Sequence, residues 1–285
     1  MRLTRFLARL SLVGVLPLAA CELNTAPSLQ GGGQEQLPAP LGLTSISLNH
    51  AVQLSWSDNV PQTGGSLFSY YRVYSATYDA TSNTCDADYA LEGSTVSDGF
   101  LAANLTNGAS RCYWVSAVDV YGYESDWSTP RQDTPRYDAR NVVVYASDVR
   151  PDSSGFLFYD GLTQRYGVVS SDGRTDLDFT IERHSDGTLW FNPARADVQM
   201  ALYGSAPVTD LTSIDYAETS TLSSVTVEAA PGYAYIFGTV KSDGVHYAGV
   251  RVAYIAQDYV VLDWSYQSAI GNPELVRSAN AGRMP

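Results

Sequence analysis

Three histidines, His50, His184 and His246, are the whole imidazole stock of this 285-residue chain. That is little material for general-base catalysis or a histidine-built zinc site. Asp172, Asp176 and Asp178 supply oxygen ligands of the kind calcium takes. Their spacing is not that of an EF-hand loop and no glutamate closes it, so a solvated acidic turn is expected and no metal. Neither Gly-x-Ser-x-Gly nor His-Glu-x-x-His occurs, so no nucleophile elbow or zinc-protease helix is expected. Paired carboxylates for glycoside cleavage depend on spatial separation, and no segment suggests the groove they would need. The expectation is therefore no catalytic residue, no cofactor and no enzyme.

Ligand-binding candidates remain. His50 belongs in a solvated turn, while His184 and His246 adjoin Asp-Gly turns and are expected as exposed hairpin-end residues. The alternative is that the latter two converge as axial ligands of a haem. Tyr70, Tyr71, Tyr74 and Tyr78 lie close together. On a strand, Tyr71 shares the core face with Val73, which turns Tyr70 and Tyr74 outward. Exposed tyrosines there can stack on sugar rings. The candidates are thus His184, His246, Tyr70 and Tyr74.

The elements that must hold these residues are β-rich. Val, Thr, Tyr, Ser and Gly dominate, with 20 tyrosines and few helix formers. With 17 basic against 30 acidic residues the formal charge is −13. Such a chain has no basic stripe for phosphates, which argues against nucleic acid as a partner. Lys241 is the single lysine, a fact that codon bias explains as well as function does.

The first residues, MRLTRFLARLSLVGVLPLAAC, carry a basic head at Arg2, Arg5 and Arg9 and an apolar run from Leu10 to Leu18, too short to span a bilayer. Leu18-Ala19-Ala20-Cys21 resembles the lipobox of bacterial lipoproteins. The resemblance implies a signal peptide over 1–20, cleavage before Cys21 and acylation of that thiol. Stable anchoring takes more than one chain, at about 0.8 kcal/mol per buried CH₂. Glu22, rather than aspartate, follows the cysteine, so the outer membrane of the cell envelope is the expected address. Losing the signal takes the charge from −13 to −16. Residues 21–39 hold a Gly triplet and no apolar period, and read as a tether of about 20–25 Å span. Acylation leaves Cys85 and Cys112 in an oxidising compartment, where a disulfide worth about 3–4 kcal/mol is expected. Two reduced buried thiols are the alternative.

Over 40–135, strand signals recur. Val52, Leu54 and Trp56 share one face, Tyr71-Arg72-Val73-Tyr74 alternates, and Tyr113-Trp114-Val115-Ser116-Ala117-Val118 follows Leu105 by eight residues. These residues resemble a fibronectin type III module. The resemblance implies a seven-strand sandwich with Trp56 at its centre and Tyr113 as a tyrosine corner whose hydroxyl bonds nearby backbone. A polar insert, Tyr78 to Tyr89, departs from the pattern and contains Cys85. Ser128 to Pro135 reads as a stiff linker.

A second antiparallel β domain is expected over 136–277, with a tail at 278–285. Apolar runs at Val142 to Tyr145 and Gly155 to Tyr159 open it. Turns at Ser171-Asp172-Gly173, Ser185-Asp186-Gly187 and Ser242-Asp243-Gly244 suggest hairpins, and Tyr233–Val240, His246–Ile255 and Tyr259–Tyr266 form a closing meander. Only Pro193 to Tyr203 and Val208 to Ala217 admit short helices. Gly244, Tyr247 and Arg251-Val252, followed by Val261-Leu262-Asp263-Trp264 and Tyr266-Gln267, resemble β-rich lipoprotein domains of the HmuY-like kind. That family includes haem binders, but no motif carries its ligand histidines onto this chain. The fold class expected is all-β: a type III sandwich, then a second antiparallel β domain with few short helices. The function expected is a membrane-anchored, non-catalytic binding or scaffold role toward an envelope protein or polysaccharide. The alternatives are a haem or other small-ligand carrier and an accessory of polysaccharide degradation.

Overall fold

The computed structural model describes residues 36–276. The signal segment, Cys21 and most of the tether lie outside them. Strands dominate, and one α-helix, Asn59–Gly64, occurs among the described residues.

In the first sandwich, β1 (Thr44–Leu48), β2 (Ala51–Ser55) and β6 (Gly99–Ala103) form one sheet in the order β1-β2-β6. The facing sheet is built on β3 (Phe68–Asp79), flanked by β4 (Thr84–Cys85) and β5 (Ala90–Thr95) on one side. On its other side lie β7 (Arg111–Asp119) and β8 (Arg131–Asp133). Apart from the short β4, these are the seven strands that the type III resemblance implies. Period-2 alternation sets the core, because inward residues of both sheets meet between them. Val52 and Leu54 are fully buried, and Trp56 meets Tyr71 edge to face at 5.2 Å.

Three expectations need correcting here. The Tyr113 ring is fully buried, but its hydroxyl has no protein partner. The supposed linker contains β8, which pairs with β7 through Tyr113↔Arg131. Finally, the tether ends earlier than expected: Leu37 is buried in the first core, and a Cβ added at Gly64 would strike it at 2.4 Å.

The second sandwich starts with β9 (Tyr137–Tyr145), β10 (Gly155–Asp160), β11 (Arg165–Val169), β12 (Phe179–Arg183) and β13 (Leu189–Pro193). It continues with β14 (Val198–Leu202), β15 (Val227–Glu228), β16 (Ala234–Lys241), β17 (Gly244–Ile255) and β18 (Tyr259–Gln267). One sheet runs β11-β10-β12-β13-β15 and the other β14-β16-β17-β18-β9. Phe156, Phe158, Phe179, Phe191, Tyr235, Phe237, Trp264 and Tyr266 interlock between them. The back of the second sheet is also covered, since Leu211, Ile214 and Leu275 pack on Ala234 and Ile236. That double burial explains why Ala234 to Phe237 reads as a continuous apolar run.

The meander and the β12–β13 hairpin stand where the turn chemistry put them. Ser171-Asp172-Gly173 does not close a hairpin, because β11 and β12 lie on opposite sides of β10. Pro193 to Tyr203 is not helical. Val198 and Met200 alternate inward, and β14 pairs with β16 along its length. Of Val208 to Ala217, only Leu211–Ser213 is helical, as one 3₁₀ turn.

Candidate functional site

The outer face of the first sandwich's larger sheet carries a cluster of aromatic side chains outside the core. Tyr71 and Val73 point inward, which turns Tyr70, Arg72 and Tyr74 outward. Antiparallel register places Val118, Ser116 and Trp114 of β7 opposite those three residues. The β7–β8 connection then folds back along the edge of β7. Ser125 N–H donates to Ala117 O and Ser128 N–H to Val115 O, both at 2.8 Å. The Ser125 and Ser128 hydroxyls accept the N–H groups of Ala117 and Val115, at 2.9 and 3.1 Å. These four bonds extend the sheet by an irregular segment and deliver Glu124 and Trp127 onto its outer face.

Four rings meet there. Trp127 stacks on Tyr74 with centroids 4.5 Å apart and planes 17° apart. Trp114 lies 5.8 Å from Trp127. Tyr89 stands at 80° to Trp127 at 4.7 Å and 6.0 Å from Tyr74. Tyr89 is 54% exposed and neighbouring Leu91 equally so, while Tyr74, Trp114 and Trp127 are half-buried. Aromatic pairs of this geometry contribute about 0.5–1.5 kcal/mol beyond their area, so the cluster is a preformed surface.

A polar frame surrounds the rings. Glu124 accepts from Arg72 Nη1 at 2.8 Å, Tyr74 Oη at 2.9 Å and Ser116 Oγ at 2.5 Å. Burial pushes the Glu124 carboxyl up, but the three donors together outweigh it and hold the group below its ordinary value. Burial, and next the bond to Glu124, raise the Tyr74 hydroxyl. The Arg72 guanidinium also lies over the Tyr70 ring, 5.8 Å from its centroid. On the core-facing side of the same sheet, near Tyr113, Glu92 Oε1 accepts from Ser75 Oγ at 2.5 Å and sits 3.7 Å from Arg111.

Cys85 and Cys112 are joined in a disulfide with Cα atoms 5.9 Å apart. Tyr78 pairs with Cys85, so the insert is tied to both β3 and β7 before the chain reaches Tyr89.

Of the four ligand-binding candidates, Tyr74 belongs to the ring cluster and Tyr70 lies along the same strand face under Arg72. The two histidines lie elsewhere. His184 is exposed in the β12–β13 turn with its ring stacked on Trp190 at 4.4 Å. His246 is not a solvated hairpin end. It is 2% exposed, in phase with Ala248 and Val250 on the core face of β17. Its Nε2 is 3.0 Å from Asp243 Oδ1, its Nδ1 is 3.3 Å from Gln267 O, and the ring stacks on Tyr266. His50 occupies the β1–β2 turn at φ +55°, with Nδ1 2.9 Å from Leu105 O. No contact unites the three.

The acidic turn also differs from expectation. Asp178 is fully buried and accepts from Lys241 Nζ at 2.7 and 2.9 Å, Thr239 Oγ1 at 2.6 Å and Phe158 N at 2.7 Å. The single lysine is thus half of an ion pair linking the two sheets. Asp176 pairs with Arg174 instead. Among the described residues no group of three or more His, Cys, Asp or Glu is placed to hold a metal. A cleft of about 500 Å³ opens where the sandwiches meet, lined on one side by Tyr78, Ser110 and Thr134 and on the other by Ile270 and Asn272. It includes no histidine.

Sequence reasoning missed Glu124, Trp127, Trp114 and Tyr89 as site residues. Trp114 was visible as an outward position of β7. Trp127 and Glu124 sit in a polar, non-periodic run, and Tyr89 ends the insert, so no periodicity marks them.

No family model matches the sequence, and no curated protein matches it. Among solved structures, an Fn3-like protein from Clostridium thermocellum is 22% identical and covers 36% of this chain and 100% of that one, at a TM-score of 0.27. FN3tt is 20% identical over 35% of this chain and 97% of its own, with a TM-score of 0.25. A DUF4466 family protein from Parabacteroides merdae is 10% identical and covers 77% of this chain and 93% of that one, at a TM-score of 0.41.

Proposed function

We propose that the chain is an envelope lipoprotein that binds, without catalysis, through the aromatic face of its type III sandwich. In this reading it is exported, cut before Cys21 and held on the outer membrane by acyl chains, with 21–36 as the tether. The second sandwich, with its HmuY-like likeness, is the body against which the first is fixed. The partner is a polysaccharide or another envelope protein.

One observation carries the reading: the cluster of Tyr74, Tyr89, Trp114 and Trp127 at an exposed sheet face, framed by hydrogen-bonded charges. Exposed aromatic surface with a polar rim is the usual anatomy of a binding patch. The carrier alternative draws less support. His246 has both ring nitrogens engaged, and eight large aromatic side chains fill the space between the sheets of the second sandwich.

The test is a comparison of detergent-solubilised full-length chain with its Trp127→Ala and Cys21→Ser variants. The wild type should float with membranes and retain envelope components on a column. Cys21→Ser should lose the membrane while keeping the retention, and Trp127→Ala should do the reverse. Retention unchanged in Trp127→Ala would refute the binding face. Membrane flotation unchanged in Cys21→Ser would refute the anchor.

A further inference from the structure

The chemistry of the aromatic face narrows its partner to one class. Resting on the binding-face reading above, we infer that the occupant is a neutral polysaccharide, bound across the outer face of β3 with sugar rings against Tyr89 and Trp127. Three features combine.

The rings are arranged for flat, weakly polar partners. Tyr89 stands almost perpendicular to Trp127 at 4.7 Å, and Trp127 is itself braced from below by Tyr74. Bracing fixes the two outer rings before any ligand arrives, which lowers the entropy lost on binding. The C–H faces of a pyranose suit such surfaces, because they are apolar and the ring quadrupole is negative on its face.

A polar pair flanks the rings, with Glu124 and Arg72 beside Tyr74 on the outer face. An ionised carboxylate accepts on both oxygens and a guanidinium carries five donors, so sugar hydroxyls can donate to Glu124 and accept from Arg72. From Tyr74 back to Tyr70 the strand runs about 13–14 Å at the usual rise per residue. Tyr70 under Arg72 therefore lies far enough along the face to meet a second part of the same polymer.

Charge decides between glycans. Glu124 is balanced by Arg72, while the whole chain carries −13. A polyanion would approach against that field, and a neutral polymer would not. A protein partner is the rival class. Protein interfaces are also rich in Tyr, Trp and Arg, so the experiment carries that class as a separate outcome.

The experiment is native affinity electrophoresis of the detergent-solubilised full-length chain in gels holding laminarin, galactomannan or xyloglucan, with alginate and polygalacturonate as anionic counterparts. At least one neutral polymer should retard the protein and neither anionic one should. Tyr89→Ala changes an exposed ring and should keep the fold. It should weaken retardation about three- to tenfold, the effect of one aromatic contact. Trp127→Phe should weaken it less than Trp127→Ala, and Tyr254→Ala, exposed on the second sandwich, should leave it unchanged. Retardation by the anionic polymers alone, or by none of the five, overturns the inference. If the gels are silent while Trp127-dependent retention of an envelope protein persists, the face binds protein, and only the glycan inference falls. If neither kind of binding depends on Trp127, both readings fall.

Discussion

At the residue scale, two carboxylates, one half-buried and one fully buried, do different work. Glu124 collects Arg72, Tyr74 and Ser116 onto one anion and so locks the β7–β8 connection against the sheet. Because its folded pKa is lowered from 4.5, net of the opposing burial, its stabilisation is present above the unfolded value. It is lost as pH falls through the folded one. Glu124→Gln should cost about 1–2 kcal/mol at pH 7, as for hydrogen bonds to a charged group that is partly solvated. In urea melts the gap from wild type should narrow below pH 4.5, and a gap that widens there would contradict the assignment. Asp178 instead joins the two sheets of the second sandwich through Lys241. Lys241→Met leaves a fully buried carboxylate short of its main counter-charge, so a loss of about 3 kcal/mol is expected in denaturant titration. Adding Asp178→Asn should recover part of it, because the two changes touch one network. Legibility at this scale was uneven. Tyr70 and Tyr74 were found because strand phase alone turns them outward. His246 was misplaced because the hairpin loop is only Ser242-Asp243: Gly244 already pairs with Lys241, so the second residue after it falls on the core face. Asp178 read as solvated because nothing local reveals a cation 63 residues away.

At the element scale, the strands were readable wherever one face is buried and the other wet. Val52, Leu54 and Trp56 show it, as do Tyr71 and Val73. Pro193 to Tyr203 misled because a five-residue strand offers too few residues to separate period 2 from period 3.6. The β7–β8 connection was unreadable for a different reason. Its order comes from Ser125 and Ser128 bonding β7, and serines in a short polar run look like any loop. The insert is the element with the clearest consequence. Its only covalent tie to β7 is Cys85–Cys112, and Tyr89 follows four residues after Cys85. Replacing both cysteines by serine should lower stability by about 3–4 kcal/mol on the chain-entropy account. It should also free the approach of Tyr89 to Trp127. The readout for the second effect is indole fluorescence. Its emission should shift red in the double variant to the same extent as in Tyr89→Ala, and additive shifts in a triple variant would show that the bridge does not position the ring.

At the scale of the whole molecule, the question is whether the two sandwiches behave as one body. Their junction turns on Arg136, which is fully buried. Its backbone N–H donates to Leu48 O of the first sandwich at 3.2 Å, and its guanidinium donates to Leu275 O of the second. Gly108 packs so closely that a Cβ there would meet Ser268 Oγ at 2.6 Å, and the His50 ring meets Tyr137 edge-on at 5.9 Å. Burial pushes the Arg136 pKa down to about 10, against the pull of Asp138 and Asp133. The group therefore stays charged at neutral pH while Nε and Nη2 lack protein partners. A buried cation so incompletely satisfied is costly, and what it secures in return is a fixed seat for the chain at Leu275. Arg136→Ala removes the cation together with the bond to Leu275, and the cavity it leaves adds to the loss. Arg136→Met keeps most of the volume and removes the desolvation cost, so its loss should be the smaller of the two. Calorimetry separates coupling from mere stability. The wild type should melt in one transition whose van't Hoff and calorimetric enthalpies agree. Arg136→Ala should split it, with the first sandwich and its aromatic face melting apart from the second. A single transition that only moves to lower temperature in Arg136→Ala would mean that the junction is held by the packing around Gly108 and Tyr137, and that the arginine does not couple the two bodies.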